Sequence, residues 1–242
     1  MNKFWKTILF VSILCNLTIV YVAIKALEYR AHINEFLDKY TYVVNEFSRR
    51  DRYHDENRPL RADTTVPGRI VLFGSQVIEN WPQDKLPAGF EFINRGVSAQ
   101  RASGFLLRFQ PDVIELAPEA VVIEISSYNL RPESSVKEIC DYTAGVAELA
   151  LFHGIRPIPA TMIPPCKDSV VPSEYQIMDS IALYNNWLKE YCAARSIAFI
   201  DLNKAFSDSD GFMVRKYAAA AIDPNDAGYA GISELLGKLL KP

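Results

Sequence analysis

The segment Arg69–Trp81 has the form of a turn that presents a reactive side chain. An apolar, strand-like run, Ile70–Phe73, leads into Gly74 and then into a polar stretch that could open a helix. Enzymes of the α/β class present nucleophiles from such turns at the carboxyl edge of a parallel sheet. The nucleophile position holds Gln76, whose amide cannot attack an ester. This one residue therefore bears directly on whether the chain is an enzyme.

Other small or polar residues follow later strand-like runs. Gly96 follows the second run, and Tyr128 and Asn129 follow the third. Asp223 precedes Pro224 at the start of the last amphipathic segment, where a carboxylate also suits a helix start. If burial raised its pKa, Asp223 could act as a general base toward water.

Apolar runs that alternate with helical patterns must position these residues. The predicted strands are Arg69–Phe73, Phe90–Asn94, Ala120–Ile125, Arg156–Thr161 and Ala198–Asp201. The predicted helices are Gln100–Phe109, Ser134–Phe152, Tyr175–Arg195 and Ala227–Leu240. Short, fully apolar strands separated by helices indicate a parallel sheet that is covered on both faces. We therefore expect a three-layer α/β/α sandwich with a flavodoxin-like sheet of about five strands.

Four ordered segments resemble the sequence blocks of the SGNH, or GDSL-like, hydrolase family. They are Ile70–Trp81, Phe92–Phe109, Val121–Leu130 and Asp223–Ile232, and the likeness extends over about residues 69–240. The resemblance implies an ester hydrolase with a serine nucleophile in a Gly-Asp-Ser turn and an Asp-x-x-His pair near the carboxyl terminus. It also implies an oxyanion hole formed by the serine amide, a glycine amide and an asparagine side chain.

The catalytic positions depart from that pattern. In register, Ser75 stands at the family's aspartate, Gln76 at the nucleophile and Tyr128 at the oxyanion asparagine. Ala220 and Asp223 replace the Asp-x-x-His pair, so no catalytic residue of the family is intact. Only Gly96, matched to the oxyanion glycine, retains a backbone amide that could donate.

Neighbouring residues offer fallback chemistry. Ser75 becomes the nucleophile if the turn slips by one residue, and Asn129 reaches the oxyanion position by a similar slip. Neither slip supplies a base, because His32, His54 and His153 lie far from the predicted site in sequence order. The first hypothesis is therefore a non-catalytic binding or scaffold module. Its pocket would be formed by Gln76, Gly96, Tyr128, Asn129 and Asp223 and would hold an acylated sugar or a protein ligand.

Two alternatives remain open at this stage. One is a divergent esterase that acts on ester bonds through Ser75 or through a water activated by Asp223. The other is a structural protein whose helical stalk is the functional element. Composition is that of a globular protein, and the net charge of −3 gives no reason to expect a nucleic-acid partner. The four cysteines lack metal-ligand spacing, so we expect no metal site, no cofactor and buried free thiols.

The amino terminus is predicted to anchor the chain in a membrane. Residues 7–24 carry no charge and match the length that a bilayer core requires. No small-residue cleavage site follows, which favours an uncleaved signal anchor over residues 1–25. Lys3 and Lys6 favour a cytoplasmic amino terminus and an extracytoplasmic, periplasmic domain on a single-pass inner-membrane protein.

The apolar helix is expected to continue as a stalk over residues 26–53. A seam of apolar residues at steps of three and four, which suits helix pairing and homo-oligomer formation, comprises Ile33, Phe36, Tyr40, Val43 and Phe47. The alternative is that this seam packs on the chain's own domain. Residues 54–68 are polar and contain two prolines, which predicts a linker before the domain at residues 69–242.

Overall fold

A computed structural model describes residues 2–41, 48–63, 66–130, 135–169 and 176–241. It divides into two compact units, residues 1–47 and 48–242. The helices are α1 Lys3–Thr41, α2 His54–Ala62, α3 Gln76–Glu79, α4 Ala102–Asp112, α5 Val136–Phe152, α6 Gln176–Arg195, α7 Leu202–Phe206 and α8 Asp226–Leu240. The strands are β1 Arg69–Gly74, β2 Glu91–Gly96, β3 Ala120–Ile123, β4 Arg156–Pro159, β5 Ala218–Ala220 and β6 Asp223–Pro224.

The first unit contains one long apolar helix, α1, of 39 residues. Its most apolar stretch is long enough to cross a membrane, and every described residue of the helix is exposed. The apolar run and the first half of the predicted stalk therefore form one continuous helix. Val43 and Phe47 of the proposed seam lie outside the described residues.

The second unit is built on a four-stranded parallel sheet in the order β2-β1-β3-β4. Side chains alternate between its two faces, as the strand repeat requires. Val71 and Phe73 of β1 pack into a core that includes residues of α4, α5 and α6. Ile70 and Leu72 face the opposite core, which includes residues of α3, α7 and α8. The expected α/β sandwich with a helical layer on each face is therefore observed.

The predicted fifth strand is reduced to a single parallel bridge between Ala160 and Ile200. The amides of Arg156 and Ala160 donate toward β3, so the intervening odd-numbered positions face the other edge of β4. Pro157 and Pro159 occupy two of those positions and have no N–H to give. Since β4 offers a fifth strand few donors, the prediction of about five strands was one too many.

The predicted linker contains helix α2 instead. Tyr53 and Asn57 are buried, although both fall in segments that were expected to be stalk or linker. Asn57 donates to the Asp112 carboxylate, at 2.8 Å from Nδ2 to Oδ1, and to the Pro111 carbonyl at 3.0 Å. The helix is thus attached to the domain by polar contacts that a hydrophobic pattern does not reveal.

Candidate functional site

The turn after β1 is as close-packed as its sequence suggested. A side chain at Gly74 would collide with Ile78 and approach Glu124 Oε2 at 2.9 Å, so only glycine fits. Ser75 precedes α3, and Gln76 is the first residue of that helix. Gln76 therefore occupies the place at the carboxyl edge of β1 from which a nucleophile would act.

Gln76 borders a small open pocket of about 230 Å³, a volume that includes space open to solvent. The lining residues are Gln76, Ala99, Gln100, Arg101, Ser126, Tyr128 and Asn129. The structure thus brings together three of the residues expected from the sequence, Gln76, Tyr128 and Asn129. Tyr128 is 46% exposed and presents its ring at the surface rather than plugging a cavity.

Gly96 does not belong to this pocket. Its amide donates to Asn94 Oδ1 at 2.9 Å, and a side chain at Gly96 would collide with the Glu79 backbone. The predicted oxyanion role of Gly96 stays a prediction, and Gly96 is not among the residues that line this pocket. Ala99, which does line it, has a φ of 58° in the left-handed region that favours glycine.

Asp223 lies near the pocket but is not among its lining residues. It pairs with Ala220 across the short β5–β6 ladder, so the two positions matched to the catalytic pair remain adjacent. Its Oδ1 atom is buried and has no hydrogen-bond partner among the described residues. Burial and the charge of Asp223 together raise the pKa of Tyr128, which places this carboxylate within electrostatic reach of that phenol.

Ser75 is poorly placed to be a nucleophile. It is 1% exposed, and its hydroxyl donates to Glu124 Oε2 at 2.6 Å. The Ser75 amide donates to the same oxygen at 2.8 Å. The hydroxyl is therefore directed into the protein interior and bonded there.

Glu124 was missed by the sequence analysis. It follows β3, is 4% exposed and interacts electrostatically with Asp223. Burial raises its pKa, although the two hydrogen bonds from Ser75 act in the opposite direction. A single acidic residue within the apolar run Ala120–Ile125 was the available signal, because a carboxyl in a buried strand requires a partner.

Asn129 has a structural role. Its Oδ1 accepts from the Ala102 amide at 2.8 Å, and its Nδ2 donates to the carbonyls of Gln100 and Ser126, each at 3.2 Å. These bonds join the loop after β3 to the start of α4. Its side chain is thus occupied by these contacts rather than available as the fallback oxyanion donor.

Neither the three histidines nor Cys166 is among the residues that line the pocket. His32 lies in α1, His54 begins α2, and His153 follows α5 on the surface. Cys166 is buried, and burial raises the pKa of its thiol, which lowers its thiolate fraction. Within the described residues, no group of three His, Cys, Asp or Glu side chains is arranged to hold a metal ion.

The family follows from a match over most of the domain. Residues 62–230 match the GDSL-like lipase/acylhydrolase family. The chain belongs to this family. Two crystal structures agree with that assignment. Each has a TM-score of 0.69, and each alignment covers 80% of this chain. One is a GDSL-like lipase from Bacteroides thetaiotaomicron, 26% identical and covered over 98% of its own length. The other is a putative acylhydrolase from Bacteroides fragilis, 25% identical and covered over 96%.

A more distant structure shows the fold alone. An acetyl xylan esterase is 14% identical, with a TM-score of 0.61, over 72% of this chain and all of that one. No curated protein gave a significant match. The fold of this GDSL-like domain is therefore shared with these structures.

Proposed function

We propose that this GDSL-like domain is a non-catalytic binding or scaffold module that is held at a membrane by α1. The observation that carries the proposal is the turn after β1. Gln76 fills the nucleophile position at the pocket, and the hydroxyl of Ser75 is bonded to a buried carboxyl group. The family's serine mechanism needs a hydroxyl at the nucleophile position and a histidine base within reach; Gln76 has no hydroxyl, and no histidine is among the residues that line this pocket.

The pocket retains features of a binding site. Gln76 Nε2 and Gln100 Oε1 are buried polar atoms of pocket-lining residues, and neither has a hydrogen-bond partner among the described residues. A buried unsatisfied polar group costs about 1–3 kcal/mol and is uncommon outside functional sites. The half-exposed Tyr128 ring beside them offers a surface for stacking. We propose an acylated sugar or a partner's loop as the ligand; the acetyl xylan esterase with the same fold makes a sugar ester the first choice for testing.

The placement of the domain is part of the proposal. Residues 7–24 of α1 would span the cytoplasmic membrane as an uncleaved signal anchor. Lys3 and Lys6 would keep the amino terminus inside, which would place the domain on the outer, periplasmic side.

One observation favours a second function, a divergent esterase that uses water. Asp223 Oδ1 is buried without a partner and lies within electrostatic reach of Tyr128 and Glu124. A carboxylate in such a place can hold and deprotonate a water molecule if its proton affinity is high enough. This function requires Asp223 and does not require Ser75.

Ester hydrolysis by the full-length protein in detergent separates these functions. With p-nitrophenyl acetate, we expect the native chain to be no faster than its Gln76→Ala variant. The variant Gln76→Ser, Ala220→Asp, Asp223→His rebuilds the family's triad. Ester hydrolysis by this variant alone would support a site that keeps the family's geometry but lacks its catalytic residues. If the native chain hydrolyses the ester and Asp223→Asn or Ser75→Ala abolishes that activity, the non-catalytic proposal is overturned and the residue responsible is identified.

A further inference from the structure

The segment that follows α1 along the chain is built into the domain. Ser48, Tyr53 and Asn57 are all buried, and the first lies seven positions after the last residue of α1. Tyr53 and Asn57 contact the strand end at residues 95 and 96, and Ser48 lies close to Gly104 of α4, which follows the loop at residues 97–101. Part of that loop lines the candidate pocket.

Tyr53 reaches the end of β2. Its hydroxyl donates to the Gly96 carbonyl, and the Arg95 guanidinium lies over its ring, 4.5 Å from the centroid. A desolvated cation over an aromatic face adds to the attraction. Burial, aided by the charge of Glu79, raises the pKa of Tyr53, so the phenol stays protonated and remains a donor.

Asn57 holds the same strand end from the other side. Arg95 Nε donates to Asn57 Oδ1 at 2.8 Å, and Arg108 Nη2 donates to the Arg95 carbonyl at 3.2 Å. Asn57 is itself bonded to Asp112, the ion-pair partner of Arg108. Arg108 of α4 thus holds the Arg95 carbonyl, and Asn57 of α2 holds the Arg95 side chain.

The loop beyond Gly96 is held through Glu79. The Ser98 amide donates to Glu79 Oε2 at 2.7 Å, and the Ser98 hydroxyl donates to the same oxygen. Arg52 approaches the other carboxylate oxygen at 3.4 Å. Burial raises the pKa of Glu79, but the bonds from Ser98 and Arg52 outweigh it, so the net shift is downward and the carboxylate stays charged.

These contacts converge on a strained loop. Ala99 adopts a left-handed conformation that is costly for a residue with a side chain and persists only when its surroundings impose it. Gln100, its neighbour, packs against Gly104, and the Ser48 backbone lies 3.5 Å from where a side chain on that glycine would stand. Residues 48–57 therefore contact the strand end before the loop, the Glu79 carboxylate that holds Ser98, and the helix that follows the loop.

We propose that Tyr53 and Asn57 are positioning residues for the pocket, and that residues 48–57 form a clamp that keeps loop 97–101 in its pocket-forming conformation. The clamp links the segment that follows α1 in the sequence to a loop that lines the pocket. The clamp proposal rests on the proposed function only in that it treats this pocket as the functional site. The contacts that form the clamp do not involve a ligand.

Hydrogen exchange followed by mass spectrometry on the full-length protein in detergent tests the clamp. Tyr53→Phe removes one hydroxyl and keeps the ring beneath Arg95. Tyr142→Phe is the matched control, because within the part of the chain that the structure describes its hydroxyl is hydrogen-bonded only to the exposed Glu138 on its own helix. We expect peptides covering residues 97–101 to exchange about tenfold faster in Tyr53→Phe, the effect of losing one buried hydrogen bond. Peptides from β1 and β3 should be unchanged, and the control should match the native chain throughout.

A second variant distinguishes a local effect on the loop from a general loss of stability. Arg52→Gln removes the charge that faces Glu79 while leaving Tyr53 in place, and it should also accelerate exchange in residues 97–101, by less than Tyr53→Phe does. Unchanged exchange in that loop in both variants, or equal acceleration across β1, β3 and the loop, would overturn the clamp. Ester turnover by the native chain would sink the non-catalytic function and leave the exchange result standing, so the two failures are distinguishable.

Discussion

At the residue scale, the turn after β1 keeps a carboxyl group although its own acidic residue is missing. The resemblance to the family places an aspartate at position 75, where this chain has serine. Glu124 from the end of β3 supplies a carboxyl oxygen to the same turn and accepts two hydrogen bonds from Ser75. The turn is therefore held by a carboxyl group that follows the neighbouring strand rather than by a residue at position 75.

The buried Glu124 should make stability depend on pH. Because its folded-state pKa is raised, the folded state binds the proton more tightly, and stability falls as pH rises from the unfolded value of about 4.3 toward the folded pKa. Glu124→Gln cannot ionise, and its oxygen can still accept from Ser75. Relative to the native chain, the variant should gain about 1.4 kcal/mol in free energy of unfolding for each unit by which the pKa is raised. Urea unfolding of the fragment 48–242 between pH 4 and 8 measures this gap, and a gap that is constant with pH would contradict it.

Some residues of the pocket were predicted from the sequence and others were not. Gln76 and Tyr128 both line the pocket, and each follows an apolar strand whose end the pattern predicts. Ala99 was not predicted because alanine carries no signal of a positive φ. Gly96 is packed against the Glu79 backbone, a contact between distant segments that the sequence pattern does not reveal.

At the element scale, apolar periodicity located the four sheet strands and the long helices, and it failed where polar contacts decide. Helix α2 contains mostly polar residues, and Asn57 within it finds its partners more than thirty positions away, at Arg95 and Asp112. No local pattern encodes such a pairing. The predicted fifth strand is reduced to a bridge because Pro157 and Pro159 have no amide hydrogen to donate, which a count of apolar residues ignores.

The attachment of α2 and α4 depends on a buried charge cluster. Arg108 and Asp112 form an ion pair at 2.6 Å with both side chains fully buried, and Arg95 lies close to them. Burial lowers the pKa of both arginines, while the charge of Asp112 acts to keep them protonated. Asp112→Ala would leave two buried cations with less compensation, and we expect it to cost about 3–5 kcal/mol in the free energy of unfolding.

A matched control exists on the next helix. Asp141 also pairs with a cation four positions earlier, Lys137, but this pair is exposed to solvent. Asp141→Ala should therefore have little effect, because exposed pairs are screened by water and salt. Chemical denaturation of both variants measures the difference, and equal losses would show that the buried cluster does not hold α2 and α4 to the domain.

At the scale of the whole molecule, the chain combines a long helix with a compact domain. At 1.5 Å per residue, the 39 residues of α1 extend about 58 Å, roughly twice the hydrocarbon thickness of a bilayer. The uncharged residues 7–24 account for the first half of this length. The remainder carries charged pairs such as Lys25–Glu28 and Glu35–Lys39, together with exposed Ile33, Phe36 and Tyr40. A helix with such an apolar seam outside a membrane gains stability by pairing with another helix.

We therefore expect the full-length protein to be an oligomer in detergent, assembled through this seam. Ile33→Asp with Phe36→Asp places two charges on the seam and should shift the protein to a monomer, because each charge would have to be buried in the helix pair. Ala31→Asp with Asn34→Asp adds the same charge to other faces of α1 and should leave the oligomer intact. Sedimentation velocity in a density-matched detergent reads both results. If the native chain sediments as a monomer, the seam does not mediate self-association. Each domain would then function as a single copy.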